Sequence, residues 1–462
     1  MRISAVECVL ALAWLAGALA LASVQADEAP QKKFTPSERM NRARLKATHD
    51  DVAKLQATRR DIPAWPGLND YRTILHAHAE DSAHTCGTRP EMLADAKKVG
   101  VDAILLSNHF RPPVDFMTQS WRGLHEGVLF IPGSEWRGFL IHPMESVFAK
   151  MEEKATTTPQ FVDVIRANGG LIFLSHIEER TGHSMENLTG MEIYNRHYDA
   201  KKDNAGIVGI FLKLTHPDSL REMEECLKSY PDEMLASQVT RPDVYLAKWD
   251  AETKTRRLSG IAANDCHHNQ ILIVKMIDPE TVLVGTNVDR DDQMRKLSAT
   301  IRPGIRALTK EHKPGDILAS LDFDPYARSF LNVSTHVFAA ELTEPAIRSA
   351  LREGHAYVSH DWMCDPKGFR FELTGVKSSD GKAARRVIMG DEVKFSAGQK
   401  LEARFPQTCT IKLLSGGKVI AEKSGSEFAY DVTAPGVYRI ETSLDAAGES
   451  RPWIYSNPIY VR

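Results

Sequence analysis

The sequence predicts an α/β fold with a parallel sheet or barrel, followed by an all-β module. Two observations predict the first part. Short apolar strands alternate with amphipathic helices, and histidines and carboxylates recur at the carboxyl ends of the strands. The all-β module is predicted from about residue 368, where short alternating strands are separated by turn residues. The chain has 462 residues, which is enough for a barrel and one further module.

Residues 1–26 have the pattern of a secretory signal peptide. Arg2 precedes an apolar run, and Val24-Gln25-Ala26 offers the small residues that a signal peptidase recognises. The apolar core is short and a polar segment follows, which favours a signal peptide over a retained membrane anchor. We therefore expect a secreted or periplasmic protein with no membrane span after cleavage.

Residues 27–68 are predicted to form a helical segment and a linker. Pro36-Ser37-Glu38 begins an amphipathic helix that we expect to end near Arg60. This helix either caps the barrel or serves as a partner-binding arm. The first strand follows at about residues 71–75 and begins the series of strands that carries the candidate site.

The most informative motif is His76-Ala77-His78, which closes the first strand. Residues two apart on a strand point the same way, so the two imidazoles project into one cleft. Similar polar residues follow the next strands, in the order His84, His109, Glu135, His142, His176, Asp265 and His267. The carboxyl ends of parallel barrel strands are where active sites are built, so these nine residues are candidate metal ligands.

Helices are predicted between these strands, over residues 89–98 and 158–167, and glycine ends both. Strands that alternate with helices of this length form right-handed βαβ units. The strands are therefore expected to run parallel, with all their carboxyl ends on one face.

The order of the motifs resembles the polymerase and histidinol phosphatase (PHP) domain over about residues 70–360. The matching segments are His76-Ala77-His78, Arg89-Pro90-Glu91, Ser107-Asn108-His109, Gly133-Ser134-Glu135, Ser175-His176 and Asp265-Cys266-His267. The resemblance implies a distorted (β/α)7 PHP barrel over residues 69–365. It also implies two or three divalent metal ions, Zn, Mn or Fe, at the C-terminal face.

By the family's pattern, the candidate ligands divide among three ions. One ion is held by His76, His78, Glu135 and Asp265. Glu135 bridges to a second ion, which is held by His142 and His176. A third ion is held by His84, His109 and His267.

Two residues depart from the pattern. His84 stands where the family often has Ser-Asp-Gly, and Asn108 stands where Asp is usual. The first change favours a third metal ion, and the second points to a substrate outside the polymerase and histidinol branches. Arg137 and Asn195 lie just past strand ends and are the candidate catalytic residues, because both can hold an anionic substrate.

Residues 366–462 are predicted to form an immunoglobulin-like β-sandwich. Strands are expected near residues 369–373, 410–414, 417–420, 436–440 and 453–461. The last segment resembles secreted PHP proteins of the branch related to carbamate-cleaving hydrolases.

The resemblance implies a metal-dependent hydrolase, in the first instance a phosphoesterase that uses hydroxide held by the metal cluster. A carbamate, amide or carboxylic ester hydrolase of the same fold is the alternative. Amidohydrolases also begin with His-x-His, but the segments around Glu135 and Asp265 fit the PHP pattern better. A hypothesis from another class is a non-catalytic secreted binding protein.

The net charge limits the classes of binding partner, and the cysteine content limits the possible disulfide bridges. The net charge is −3 with no basic stripe, so nucleic acid is not an expected partner. A small, anionic substrate is expected instead. Of six cysteines, one lies in the signal peptide, and the remaining five do not form a disulfide framework, although one bridge stays open. The sequence does not determine the oligomeric state.

Overall fold

The computed structural model describes residues 33–152, 158–202, 209–210, 212–376 and 386–462. The predicted signal peptide, residues 1–26, lies outside the described residues. Within these ranges, no helix is both long enough and apolar enough to cross a lipid bilayer. Residues 34–462 form one compact α/β unit in which the described strands make three sheets.

The first nine strands include those whose ends are predicted to hold the candidate ligands. They are β1 Asn69–Ile74, β2 Ala103–Leu105, β3 Gly123–His125, β4 Val128–Ile131, β5 Ser134–Trp136, β6 Phe139–His142, β7 Leu171–Leu174, β8 Gly190–Asn195 and β9 Ser259–Ala263. β1, β2 and β4 are parallel neighbours, and β7, β8 and β9 form a second parallel set. Helices lie between β1 and β2 and between β8 and β9, as predicted, whereas the described residues between β2 and β4 and between β7 and β8 contain no α-helix.

The expectation that His142 ends a parallel strand is wrong. β6 runs antiparallel to both β5 and β7, so His142 pairs with Leu171 at the beginning of β7. The reason lies in the link between β5 and β6, which is only Arg137-Gly138. Both residues have left-handed backbone angles, with φ of 51° and 84°, as a two-residue hairpin turn requires. A parallel pair would need a crossover of a dozen or more residues.

The strands that carry the candidate ligands are divided between two sheets. β1 and β2 belong to a 14-stranded sheet, whereas β5 to β9 form a five-stranded sheet. Two isolated parallel bridges, His109 with Glu135 and Ala77 with Cys266, join the two sheets at the carboxyl ends. In the part of the chain that the structure describes, no continuous ladder closes a barrel, so the predicted (β/α)7 barrel stays a prediction.

An apolar core fills the space beneath those strand ends. Both sheets contribute side chains to it, and their contact keeps the strand ends close together. The fully buried members include Leu75, Leu105, Ile131, Leu140, Phe173 and Ile261.

Helices connect and flank the strands. They are α1 Pro36–Arg39, α2 Arg42–Ala57, α3 Arg89–Val99, α4 Phe148–Glu152, α5 Thr158–Ala167, α6 Arg196–Lys202, α7 Pro217–Ser229, α8 Pro231–Ala236, α9 Asp243–Thr253, α10 Gly304–Thr309, α11 Tyr326–Asn332 and α12 Glu344–Glu353. α3 shows why the sequence is helical there. Thr88 and Glu91 form a reciprocal capping box at its beginning, and Gly100 ends it in the left-handed conformation.

The single helix predicted from Pro36 is two helices. Asn41 caps the second of them, α2, by accepting a hydrogen bond from the backbone N–H of Ala43. Two residues of α2 then join separate cores, Leu45 on one side and Val52 on the other.

A four-stranded antiparallel sheet that the sequence patterns do not predict follows β9. Its strands are β10 Ile271–Asp278, β11 Thr281–Thr286, β12 Arg295–Ser298 and β13 Ile317–Asp322. Val274 and Val282 pack with Leu220 of α7 and Ile305 of α10 in a core of their own.

The C-terminal strands continue the large sheet. They are β14 Ser334–Ala339, β15 Ala356–Ser359, β16 Arg370–Thr374, β17 Val387–Ile388, β18 Glu392–Val393, β19 Lys400–Ser415, β20 Lys418–Asp431, β21 Gly436–Ala446, β22 Glu449–Ser456 and β23 Ile459–Val461. β22 pairs with β15, β15 with β14, and β14 with β1. Hydrogen bonding therefore runs without interruption across the predicted boundary at residue 365. The immunoglobulin-like sandwich stays a prediction.

Candidate metal centre

Chain segments just beyond β1 and β9 bring the motifs His76-Ala77-His78 and Asp265-Cys266-His267 together. The His78 N–H donates to the Cys266 carbonyl at 3.0 Å, and the Asp265 N–H donates to the His76 carbonyl at 2.9 Å. Alternate residues of extended chain point the same way, so His76 and His78 face one side together. Both imidazoles are fully buried, and Asp265 and His267 lie beside them.

Glu135 and His176 reach the same place from other strands. The Glu135 N–H donates to the Ser107 carbonyl at 2.9 Å, which sets Glu135 next to His109, four residues after the end of β2. His176 follows β7 in a left-handed conformation, with φ of 48°. Its N–H donates to Glu192 Oε2 at 2.8 Å, and this contact ties the end of β7 to β8.

The carboxylates of Glu135 and Asp265 each face two groups of imidazoles. His76 Nε2 lies 3.4 Å from Glu135 Oε2 and 3.4 Å from Asp265 Oδ1. For His78 Nε2, the distances to the same two oxygens are 3.7 Å and 3.6 Å. His176 Nε2 lies on the other side, 3.1 Å from Glu135 Oε1 and 3.6 Å from Asp265 Oδ2. Each carboxylate therefore has the orientation of a bridging ligand.

A third group of imidazoles adjoins the first. His78, His109 and His267 place ligand nitrogens within 4.8 Å of one another. The His78 ring lies 4.4 Å from the His109 ring and 4.0 Å from the His267 ring, centre to centre. His84 is exposed, and its ring centre lies 4.9 Å and 5.0 Å from those of His109 and His267.

Carboxylates outside the cluster hold the far nitrogen of the imidazoles. Asp81 Oδ2 lies 3.0 Å from His78 Nδ1 and 2.7 Å from His109 Nδ1. Glu192 Oε1 lies 2.7 Å from His76 Nδ1. A carboxylate at Nδ1 fixes the proton there and turns the lone pair of Nε2 inward, which is the usual arrangement of metal-binding histidines.

The inward nitrogens fit a divalent ion. The Nε2 atoms of His76, His78 and His267 are buried and have no hydrogen-bond partner among the described residues. Leaving such atoms unpaired is costly, and a metal ion would satisfy them. Two ligand atoms each about 2.1 Å from one ion lie about 3.4 Å apart in tetrahedral geometry and about 3.0 Å apart in octahedral geometry. The distances from His76 and His176 to the carboxylates lie close to this range.

The electrostatics of the cluster are those of a cation site. Burial and the neighbouring His267 lower the pKa of His78 to about 3, so its imidazole is neutral and free to bind a metal. Burial alone would raise the pKa of Glu135, but His76 and His176 outweigh it and hold that pKa well below its ordinary value. Burial opposes the charged form of His176, yet hydrogen bonding to Glu135 and Glu178 raises its pKa to about 10. The carboxylates thus remain ionised and attract positive charge.

His142 belongs to none of the groups of candidate ligand atoms that lie within 4.8 Å of one another in the described residues, although its Nε2 is also buried without a hydrogen-bond partner there. It is fully buried, and its pairing with Leu171 places it three residues from the carboxyl end of β7. Burial, together with the charge of Arg348, lowers the pKa of His142 to about 3. The structure therefore brings together every predicted ligand except this one.

The cluster lies in a cleft of about 640 Å³ whose lining includes several cationic side chains. They are Arg111, Arg137, Arg180 and Lys201. Arg137, a predicted catalytic residue, stacks on the Trp136 ring at 4.1 Å. Asn195, the other predicted catalytic residue, is buried and donates to Glu192 Oε2 at 2.9 Å. It therefore holds the carboxylate that lies against His76 Nδ1.

Sequence reasoning missed three residues here, which are Asp81, Glu192 and His197. His197 Nδ1 lies 3.6 Å from Asp265 Oδ2. A signal existed for His197, because it follows β8 within two residues, as the other candidates follow their strands. Asp81 lies in an irregular loop, and Glu192 lies within a strand, so neither had a comparable signal.

Comparisons with known proteins add little to this geometry. No family model matches the chain, and no curated protein matches it. Among solved structures, a similar chain is that of a two-domain protein from Bacteroides vulgatus containing a predicted PHP-like metal-dependent phosphoesterase. The two share 13% identity, with 87% of this chain and 98% of that chain covered and a TM-score of 0.33. A likeness at that level establishes neither fold nor activity, so the residues of the cluster carry the functional proposal.

Proposed function

We propose that this protein is a metal-dependent hydrolase of the PHP type, and that its substrates are phosphoesters. The observation that carries the proposal is the convergence of buried, unpaired imidazole nitrogens on two carboxylates within an open cleft. Divalent ions bound there would polarise an ester oxygen and lower the pKa of a bound water.

The protein's own residues have two tasks in this proposal. His76, His78, Glu135, His176 and Asp265 would hold the ions, with His109 and His267 beside them. Asp81 and Glu192 keep the imidazoles in the tautomer and orientation that metal binding needs. Mixed nitrogen and oxygen ligands suit Zn, Mn or Fe.

The lining of the cleft supports an anionic substrate. Guanidinium groups bind phosphate oxygens through paired hydrogen bonds, and Arg111 has no ion-pair partner in the described ranges. Arg180 and Lys201 also line the cleft, although both pair with Glu179. A guanidinium available to bind an anion, as that of Arg111 is, favours a phosphoester over a neutral carbamate, amide or carboxylic ester.

The PHP-type fold is part of the same proposal. β1, β2 and β5 to β9 are seven strands, and the isolated bridges at His109 and Ala77 join their two sheets at the level of the cluster. This connection supports a distorted seven-stranded barrel.

The test is a hydrolysis screen on protein loaded separately with Zn, Mn and Fe. Phosphomonoesters, phosphodiesters, carboxylic esters and carbamates are compared under the same conditions. We expect phosphoester hydrolysis that a chelator abolishes and added metal restores. Asp265→Asn should remove it. Arg111→Gln should raise KM several-fold with little change in kcat, whereas the exposed Arg221→Gln should change neither constant.

Two outcomes would redirect the proposal. Hydrolysis of carbamates or carboxylic esters without phosphoesters would assign the alternative substrate class. Bound metal with no hydrolysis of any of these substrates would favour a non-catalytic binding protein.

A further inference from the structure

We propose that the protein has a second anion-binding site, for a small phosphate-bearing molecule, at the opposite end of the strands from the candidate metal centre. The site is a cleft of about 610 Å³, which we call the arginine cleft. Its lining includes four guanidinium groups, which belong to Arg166, Arg257, Arg348 and Arg352. The inference does not depend on the proposed metal-dependent function.

The arginine cleft lies where β7, β8 and β9 begin, whereas the candidate metal ligands follow the ends of strands. Gly169 and Gly170 precede β7, Asn187 to Thr189 precede β8, and Arg257 stands two residues before β9. The four residues of β7 alone span about 13 Å. A ligand in the arginine cleft therefore does not occupy the metal centre.

One wall of the arginine cleft is α12, and Arg348 fixes it in place. This side chain is buried, and its Nε donates to Glu344 Oε1 at 2.8 Å. Its Nη1 donates to the His142 carbonyl at 2.6 Å and its Nη2 to the Pro143 carbonyl at 3.0 Å. These bonds tie α12 to the end of β6, so the cleft is formed before any ligand binds.

Two of the guanidinium groups remain available to an anion. Arg257 pairs with Glu353, whereas Arg166 and Arg352 are exposed and have no ion-pair partner among the described residues. Arg352 Nη2 donates to the Gly169 carbonyl at 2.8 Å, and the Gly169 N–H donates to the Arg166 carbonyl at 2.8 Å. Both cations therefore adjoin the same turn. An anion bound between them would offset their mutual repulsion.

The remaining lining indicates the class of ligand. None of the described residues that line the arginine cleft is acidic, and Met144, Leu188 and Pro345 add apolar surface. Guanidinium groups bind phosphate oxygens through paired, charge-assisted hydrogen bonds. The volume is within the range of small-molecule sites, about 300–1,000 Å³. The geometry therefore suits a phosphate group on Arg166 and Arg352, either as the free anion or as part of a small organic phosphate.

The test is calorimetric titration of the metal-loaded protein with inorganic phosphate and with phenylphosphonate, whose P–C bond resists hydrolysis. We expect saturable binding that the double variant Arg166→Gln/Arg352→Gln weakens about 10-fold or more. The matched double variant Arg221→Gln/Arg306→Gln, at exposed arginines outside both clefts, should bind as wild type does. Tighter binding of phenylphosphonate would identify an organic phosphate as the ligand, and equal binding would identify the free anion.

Chemical protection locates the bound anion. Phenylglyoxal modifies accessible arginines, and mass spectrometry of peptides identifies them. Phenylphosphonate should protect Arg166 and Arg352 and leave Arg221 reactive. Protection confined to Arg111 in the metal cleft, no saturable binding, or equal weakening in the two double variants would overturn the inference. Phosphoester hydrolysis should continue at the wild-type rate in Arg166→Gln/Arg352→Gln, so failure of this inference would leave the proposed function intact.

Discussion

At the scale of single residues, the candidate centre depends on which nitrogen each imidazole turns inward. Asp81 decides this for two histidines at once, because one of its oxygens lies within hydrogen-bond distance of both His78 Nδ1 and His109 Nδ1. The same oxygen accepts the His109 N–H at 2.8 Å. Asp81 is thus the residue outside the cluster whose loss should disturb it most.

Replacing Asp81 with Asn should weaken metal binding without unfolding the protein. The amide keeps the size of the side chain but loses the charge that holds both Nδ1 protons. Loss of such an outer partner typically lowers metal affinity by about 10–100-fold. Competition with a chromogenic chelator measures the change, and Asp50→Asn at an exposed ion pair is the control. Equal affinity in the Asp81 variant and wild type would show that Asp81 does not orient the ligands.

At the scale of secondary structure elements, the β5–β6 hairpin explains where prediction from sequence succeeded and failed. Strand ends such as His76 and His176 were found because short apolar runs and the residues after them are local patterns. The predicted position of His142 is wrong because the link at Arg137-Gly138 is too short for a parallel crossover and makes its strand antiparallel to β5. His197 also follows the end of a strand, β8, and is nevertheless absent from the predicted ligands.

Gly138→Ala should destabilise this hairpin. Gly138 has φ of 84°, and a Cβ atom there would come within 2.0 Å of Arg180 Nε. A left-handed backbone angle at a non-glycine residue costs about 1–2 kcal/mol, and displacement of Arg180 adds to that. Urea denaturation should show the loss, whereas Gly182→Ala, with open space around its Cβ position, should cost less. Equal effects of the two substitutions would contradict the assigned turn geometry.

The contact between β1 and β14 should make stability depend on pH. His336 is fully buried and lies 2.7 Å from Asp70 Oδ1 and 3.1 Å from Asp361 Oδ2. Burial lowers its pKa, but the two carboxylates outweigh burial and raise it from 6.5 to about 9. The folded state therefore binds this proton more tightly than the unfolded chain. The stabilisation is complete below pH 6.5 and is lost as the pH rises to about 9.

The size of this effect is roughly 3 kcal/mol, since each unit of pKa difference is worth about 1.4 kcal/mol. Chemical denaturation at pH 6 and pH 9 of metal-free wild type and His336→Gln measures it. Wild type should lose more stability across this interval than the variant. Parallel pH profiles for the two proteins would show that His336 does not carry the dependence.

At the scale of the whole molecule, the C-terminal strands belong to the same structure as the candidate centre. β22 pairs with β15, and Trp453 Nε1 donates to the Cys364 carbonyl at 2.9 Å. Asn457 Oδ1 accepts the Gly260 N–H of β9 at 2.7 Å, five residues before Asp265. Sequence patterns predicted strands here but not their partners, because pairing between distant segments leaves no local signal.

Removal of residues 366–462 should therefore abolish folding of the remainder. The truncated chain would expose β15 as an edge and open the core that Trp362 shares with Trp453 and Ile454. Expression of residues 27–365, followed by circular dichroism and metal analysis, tests this. A soluble, cooperatively folding fragment with wild-type metal content would show instead that the predicted boundary separates independent domains.

The most direct test of the central claim is the metal content of the purified protein after reconstitution with Zn, Mn or Fe. We predict that two or three ions are retained per chain through desalting, and that Asp265→Ala loses most of them because this carboxylate faces both groups of imidazoles. Retention of no ion by wild type under these conditions would contradict the account, whatever activity the protein shows.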